Sequence, residues 1–137
     1  MSAQSTLCPV IIVEDSDEDF DTVVEAVRNA DTVTDVQRAT TGGGCLDLLR
    51  GATAVRPAVV LMDLNTPGTG DDALKLYPVL VFSTSADPRD LAFSYAAGAN
   101  AYHVKPVRYP DHLQLVIDLL TCWLGRVTLP YPAGTKP

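Results

Sequence analysis

Three short runs that are apolar almost throughout constrain most strongly what this chain can fold into. They cover residues 9–13, 58–63 and 78–83. Runs of this length without polar alternation are typical of strands buried on both faces, as in a parallel sheet. Weaker strand patterns cover 36–39 and 101–104. The sequence therefore predicts five strands.

Helical patterns alternate with these strands. Ser16 is a candidate N-cap, because three acidic residues follow it and stabilise the positive end of a helix. A loop and short helix fit 41–51, and Asp87 with Pro88 marks another helix start. The last helix is predicted over 110–124. Such alternation indicates an α/β fold, with a parallel sheet covered by helices on both faces.

Composition excludes several classes of protein. The chain has 137 residues, 47% hydrophobic, which fits one domain with a real core. A net charge of −7 with scattered basic residues argues against nucleic-acid binding. The three cysteines form no CxxC pair, and no apolar run reaches the roughly 18 residues of a membrane span. We expect a soluble, cytoplasmic protein that binds neither nucleic acid nor membrane.

Polar side chains stand where the predicted strands end, and ligands of open parallel sheets bind beyond these carboxyl ends. Carboxylates that converge there repel each other, so at least one pKa rises unless a cation is present. Oxygen ligands suit Mg²⁺, while a lysine and a hydroxyl suit a phosphoryl group. The pattern thus predicts a Mg²⁺-dependent phosphoryl site with a carboxylate nucleophile. The residues are Glu14, Asp15, Asp63, Ser83, Thr84 and Lys105.

Four segments in order resemble the signature segments of the response-regulator receiver domain. They are "IIVEDSDEDF", "VLMDLNTPG", "VFSTSAD" and "GANAYHVKPV", and the resemblance covers residues 9 to about 124. It implies a flavodoxin-like, doubly wound sheet of five parallel strands in the order 2-1-3-4-5. The expected division is a receiver domain over 1–124 and a C-terminal extension over 125–137.

The resemblance assigns roles to the acidic residues. It implies that Asp63 accepts a phosphoryl group from a phosphohistidine on a sensor histidine kinase. Asp15 and Asp63 would ligate Mg²⁺ together with the backbone carbonyl of Asn65, and Glu14 would act through a water.

The same resemblance assigns the remaining site residues. Lys105 would pair with the phosphoryl oxygens, and its peptide bond to Pro106 is expected to be cis. Counting back from Lys105 places Ser83, and not Thr84, at the switch hydroxyl. Tyr102 matches the switch aromatic, which turns inward when that hydroxyl moves to the phosphoryl group.

A finer resemblance is to the single-domain regulators paired with bacterial phytochromes. It rests on "VED" with Asp19 four residues after its second acid, on "DLN.P" and "STS", and on a tail motif. It implies that the kinase is a light sensor. From the residues alone, Asp19 is as consistent with a solvated helix start as with a functional role. The tail motif consists of Trp123, Val127, Leu129 and Pro130.

The last predicted helix carries more apolar residues than one buried face needs. Leu115, Leu119 and Cys122 form a second apolar line. Receivers commonly dimerise through their fourth helix, fifth strand and fifth helix, so we expect a homodimer there with the tail along it. The alternative is that Leu115 and Leu119 are scattered surface residues.

The chain departs from the family pattern between the third and fourth strands. Only residues 69–77 separate Gly68 from Pro78, too few for a loop and a further helix of about ten residues. The third helix is therefore short or missing. Either it has been deleted, or a stretch of sequence is absent here. The flanking strands, which are apolar on both faces, favour the second interpretation.

Two other functions compete with a phosphorelay receiver. A haloacid-dehalogenase-type phosphatase also uses a strand-end aspartate and Mg²⁺, but needs an acidic residue where this chain has Asn65. A receiver-like interaction module without phosphoacceptor activity is disfavoured by the complete set of site residues. In the favoured interpretation the chain is not an enzyme. It phosphorylates itself from a phosphodonor in a Mg²⁺-dependent reaction and loses the group slowly.

Overall fold

The structure is a computed structural model. It describes residues 10–30, 35–50, 56–63 and 77–129. The predicted metal ligand Asn65 and nearly all of the stretch in which the third helix is short or missing lie outside these ranges. So does the tail beyond residue 129.

Five parallel strands form one sheet in the order β2-β1-β3-β4-β5, which confirms the expected topology. In this register Val13 lies beside Met62, and Asp63 lies beside Phe82. The residues that follow β1, β3 and β4 therefore emerge at one edge of the sheet. The strands are β1 (Val10–Val13), β2 (Val36–Ala39), β3 (Val59–Asp63), β4 (Val79–Ser83) and β5 (Ala101–Val104).

Four helices alternate with the strands in the part of the chain that the structure describes. The family's third helix falls between the third and fourth strands, where residues 64–76 are not described. The last two described helices therefore correspond to the family's fourth and fifth helices. No helix in the described ranges is both long and apolar enough to cross a lipid bilayer. The helices are α1 (Asp17–Asn29), α2 (Gly42–Leu49), α3 (Pro88–Ala96) and α4 (Tyr109–Gly125).

The predicted helix boundaries are confirmed by their caps. The Ser16 hydroxyl accepts a hydrogen bond from the backbone N–H of Asp19 at 3.3 Å, and the Asp87 carboxylate caps α3 in the same way. Gly98 follows α3 with a φ of 108°, a left-handed conformation that glycine adopts without strain. Local sequence therefore sets where α1 and α3 begin and where α3 ends.

The core lies on both faces of the sheet because successive side chains of a strand point to opposite sides. Along β1, Val10 and Ile12 belong to one buried cluster, whereas Ile11 and Val13 belong to the other. The first cluster includes residues of α1 and α4, and the second includes residues of α2. This confirms that the central strands are buried on both faces.

The second apolar line of α4, in which the sequence predicted a surface for a partner, is only partly open to solvent. Leu115 and Leu119 are half-buried and pack against the first core cluster, while Cys122 is exposed. The physical reason is that α1 packs beside α4 as well, so more than one apolar row of α4 is covered.

Leu120 on α4 provides a test of this packing. It is 1% exposed, so Leu120→Ala should lower the free energy of unfolding by about 2–5 kcal/mol through lost burial and a residual cavity. The matched control is Cys122→Ala on the exposed side of the same helix, which should change it by about 0.5 kcal/mol at most. Urea unfolding measures both. Equal midpoints for the two variants would contradict this packing.

Candidate functional site

Three carboxylates meet at the carboxyl edge of the sheet. Oxygens of Glu14, Asp15 and Asp63 all lie within 4.8 Å of one another. They converge because β1 and β3 are parallel neighbours, so both strands end at the same edge. Glu14 and Asp63 are only 6% and 7% exposed, while Asp15 is open to solvent. A close group of oxygen donors, one of them accessible, suits a hard divalent cation.

Burial at this edge favours the protonated form of Glu14. The pKa of Glu14 is raised to about 7, chiefly by burial and to a smaller extent by the charge of Asp63, although Lys105 and the backbone N–H of Ser16 act in the opposite direction. The sequence predicted that repulsion would raise one carboxyl pKa in the absence of a cation; Glu14 shows such a rise, but burial contributes more to it than the charge of Asp63 does. A divalent cation here would favour the ionised carboxylate.

Lys105 is the ammonium of the site, and its side chain is only 9% exposed. Its Nζ lies 2.7 Å from Asp19 Oδ2, 3.1 Å from Glu14 Oε1 and 4.0 Å from Asp63 Oδ2. Burial disfavours the ammonium, but the hydrogen bond to Asp19 and the charges of Glu14 and Asp63 outweigh it, so the pKa of Lys105 is raised. Lys105 therefore stays charged beside the carboxylates.

Arg38 supports the turn between β1 and α1. Its Nε donates to the backbone carbonyl of Glu14 at 3.1 Å, and another guanidinium nitrogen lies 2.8 Å from an Asp17 carboxylate oxygen. The guanidinium also stacks over the Phe20 ring, 4.6 Å from its centroid. Arg38 thus holds Glu14 from the neighbouring strand β2. Sequence reasoning missed this residue, because no local pattern links it to a turn 24 residues away.

The predicted switch residues are joined through Ser85. Ser83 is 2% exposed, and its hydroxyl accepts a hydrogen bond from the backbone N–H of Ser85 at 3.0 Å, whereas Thr84 is exposed. The Tyr102 hydroxyl donates to the Ser85 carbonyl at 2.8 Å. The Ser85 hydroxyl in turn donates to Asp90 Oδ2 at 2.5 Å, which ties this loop to the first turn of α3.

The predicted cis bond between Lys105 and Pro106 is wrong. The described residues contain no cis peptide bond, so this bond is trans. The two isomers of a bond before proline differ by only about 0.5–1 kcal/mol in unconstrained chains, so a sequence motif alone does not determine which is adopted.

Of the predicted site residues, Glu14, Asp15, Asp63 and Lys105 come together at one edge. Ser83 ends the strand beside β3, and Tyr102 lies on β5 beside Val81. Asp19, which the sequence left undecided, is in direct contact with Lys105. The sequence feature that could have predicted this contact is the position of Asp19 in the first turn of α1, just after the strand-end acids.

The raised pKa of Glu14 predicts a pH dependence when divalent ions are chelated. Folded Glu14 holds its proton more tightly than unfolded Glu14, so its contribution to stability is complete below pH 4.5 and is lost as pH rises through about 7. The free energy of unfolding of wild type relative to Glu14→Gln should therefore fall across this window. Urea unfolding in EDTA measures it, with Glu18→Gln on exposed α1 surface as the matched control. A difference that does not vary with pH would contradict the assignment.

No protein-family model matches the chain. Two curated proteins are similar over most of its length. The chain is 27% identical to the probable methanogenesis regulatory protein FilR2 of Methanothrix harundinacea, over 90% of this chain and 88% of FilR2. It is also 27% identical to the response regulator Rcp1 of a Synechocystis species, over 88% of this chain and 92% of Rcp1.

Solved structures agree with the sequence similarity. The phosphorylated cyanobacterial phytochrome response regulator RcpA superposes with a TM-score of 0.80 at 30% identity, covering 90% of this chain and 98% of RcpA. The Mn²⁺-bound form of Rcp1 also gives a TM-score of 0.80, at 28% identity, covering 90% of this chain and 99% of Rcp1. With the strand order and the converging acids, these similarities show that the chain belongs to the response-regulator receiver family.

Proposed function

We propose that the chain accepts a phosphoryl group on Asp63 from a phosphohistidine of a sensor histidine kinase and then signals by protein contact. The observation that carries the proposal is the placement of Asp63. It is buried at the sheet edge among two further acids, with the Lys105 ammonium 4.0 Å away. This combines a carboxylate nucleophile, a group of metal-ligand oxygens and a positive charge for the phosphoryl oxygens.

In the proposed reaction, a carboxylate oxygen of Asp63 attacks phosphorus while the bond from phosphorus to the kinase histidine breaks. The electron pair of that bond stays on the imidazole nitrogen. Asp15 and Asp63 would hold Mg²⁺ together with the carbonyl of Asn65, and the ion would neutralise charge on the phosphoryl oxygens. In our assignment Glu14 acts through a water, and Lys105 hydrogen-bonds a phosphoryl oxygen.

The proposed readout starts from Ser83. In the present arrangement its hydroxyl accepts the N–H of Ser85, and Tyr102 is held at the Ser85 carbonyl. A phosphoryl group on Asp63 would give the Ser83 hydroxyl a strong acceptor. Its movement would change the loop that positions Tyr102 and the start of α3. A local change in charge would thus select between two arrangements of one surface.

The phosphoacceptor reaction makes the chain a signalling protein and not an enzyme in this proposal. It modifies itself once per donor molecule, with Mg²⁺, and returns to the resting state by slow hydrolysis. A haloacid-dehalogenase-type phosphatase would instead turn over its substrate, and an interaction module without phosphoacceptor activity would not react. Both alternatives predict a different outcome for the phosphorylation experiment below.

We assign the kinase to the phytochrome class. Two similar proteins support this assignment, the phytochrome response regulator RcpA and the bacteriophytochrome response regulator AtBRR. AtBRR is 31% identical, and the match covers 82% of this chain and 91% of AtBRR. The name of FilR2 points to no light sensor, so this assignment depends on the phytochrome regulators and the tail motif. We place the chain in the cytoplasm and divide it into a receiver domain, 1–124, and an extension, 125–137.

We further propose a homodimer through α3, β5 and α4, the family's fourth helix, fifth strand and fifth helix. Large exposed apolar side chains support it: Phe93 is 60% exposed, Tyr95 50% and Val104 45%. They lie on α3 and β5, so these elements, more than the half-buried leucines of α4, offer the apolar contact.

Acetyl phosphate with Mg²⁺ tests the phosphoacceptor. The intact mass of the wild-type chain should rise by one phosphoryl group, and Asp63→Asn should abolish the gain because an amide is no nucleophile for this transfer. Asp21→Asn on the exposed side of α1 is the control and should react like wild type. Absence of any mass gain, or a gain that survives Asp63→Asn, would contradict the proposal, and continuous release of phosphate would favour the phosphatase.

Light scattering tests the dimer. Phe93→Glu places a charge in the exposed apolar contact and should reduce the measured mass from two chains to one. Glu25→Gln on α1, an element outside the proposed interface, is the control and should remain a dimer. A wild-type mass of one chain, or an unchanged dimer in Phe93→Glu, would contradict this interface.

A further inference from the structure

Lys105 makes its shortest polar contact outside the set of strand-end acids. Its Nζ is 2.7 Å from Asp19 Oδ2, compared with 3.1 Å to Glu14 and 4.0 Å to Asp63. A charge-assisted hydrogen bond between nitrogen and oxygen measures about 2.7–2.9 Å, so the Asp19 contact is as short as such bonds become. The Asp63 contact is beyond hydrogen-bond distance.

Asp19 is held in place by its helix. It lies in the first turn of α1, and its backbone N–H is bound by the Ser16 cap at 3.3 Å. The turn before it is tied to β2 through Arg38, which contacts the Glu14 carbonyl and Asp17. The carboxylate of Asp19 therefore meets Lys105 from a supported element, with 29% of its side chain exposed.

This arrangement engages the Lys105 ammonium before any phosphoryl group is present. Nζ lies within hydrogen-bond distance of Asp19 and Glu14, whereas its 4.0 Å separation from Asp63 is too long for a hydrogen bond. Two of the three ammonium protons are already engaged by Asp19 and Glu14.

We propose that Asp19 is a positioning residue that holds Lys105 in the unphosphorylated arrangement and competes with the phosphoryl group for its ammonium. An interaction that is stronger in one of two states shifts the equilibrium toward that state. Asp19 therefore lowers the affinity of the site for a phosphoryl group and sets how readily the chain becomes phosphorylated. This inference rests on the proposed phosphoacceptor function of Asp63.

Binding of beryllofluoride with Mg²⁺, a phosphoryl mimic that needs no kinase, tests the competition by calorimetry. Asp19→Asn keeps the shape of the side chain and removes its charge, so it should bind beryllofluoride about threefold to tenfold more tightly than wild type. Asp21→Asn removes the same charge from the exposed side of α1 and should bind like wild type.

Repeating the binding measurement at high salt distinguishes loss of the direct Asp19–Lys105 contact from a general effect of removing a negative charge. In about 1 M salt, where the Debye length is about 3 Å, the tighter binding of Asp19→Asn should persist, because the contact with Lys105 is short and sheltered. Unchanged or weaker binding in Asp19→Asn would overturn the inference, as would a gain that Asp21→Asn shares or that 1 M salt abolishes. A wild-type chain that binds no beryllofluoride would overturn the phosphoacceptor function as well, whereas equal binding by wild type and Asp19→Asn would overturn only the role of Asp19.

Discussion

The parallel pairing of β1 with β3 is the constraint on which the site depends. Because both strands run in the same direction and are neighbours, Glu14 and Asp15 after β1 and Asp63 at the end of β3 meet at one edge. Packing on both faces of the sheet fixes this register, since a slip by one residue would turn each buried side chain to the wrong cluster. The fold thus forces acids together that would otherwise separate.

This concentration of negative charge explains the rest of the site. Burial leaves Glu14 with a raised pKa, and the Lys105 ammonium faces Glu14, Asp19 and Asp63. Ionising all of these carboxylates without a cation costs free energy, because they repel one another. A bound divalent cation would remove that repulsion. Because several carboxylates contact the one Lys105 side chain, its position determines how well the site can bind a phosphoryl group.

The sequence predicted the framework well, because the framework depends on local signals. Caps at Ser16 and Asp87, the glycine after α3 and the apolar strands all act through neighbours in the chain. Predictions failed or fell short where distant packing decides. Leu115 and Leu119 are partly covered because α1 lies beside α4, and the bond before Pro106 is trans although the family motif suggested cis.

By itself, the sequence determined which residues stand at the strand ends, and therefore the chemistry that the edge can perform. Only the tertiary structure decided how they share their charges. Lys105 reaches Asp19 across 86 residues of sequence, and Arg38 reaches the Glu14 carbonyl across 24. No local pattern encodes such contacts, because their distances are set by the packing of α1, β2 and β5 around the central strands. A change of about an ångström in the distance between donor and acceptor makes or breaks a hydrogen bond. Strand and helix patterns in a sequence do not predict distances to that precision.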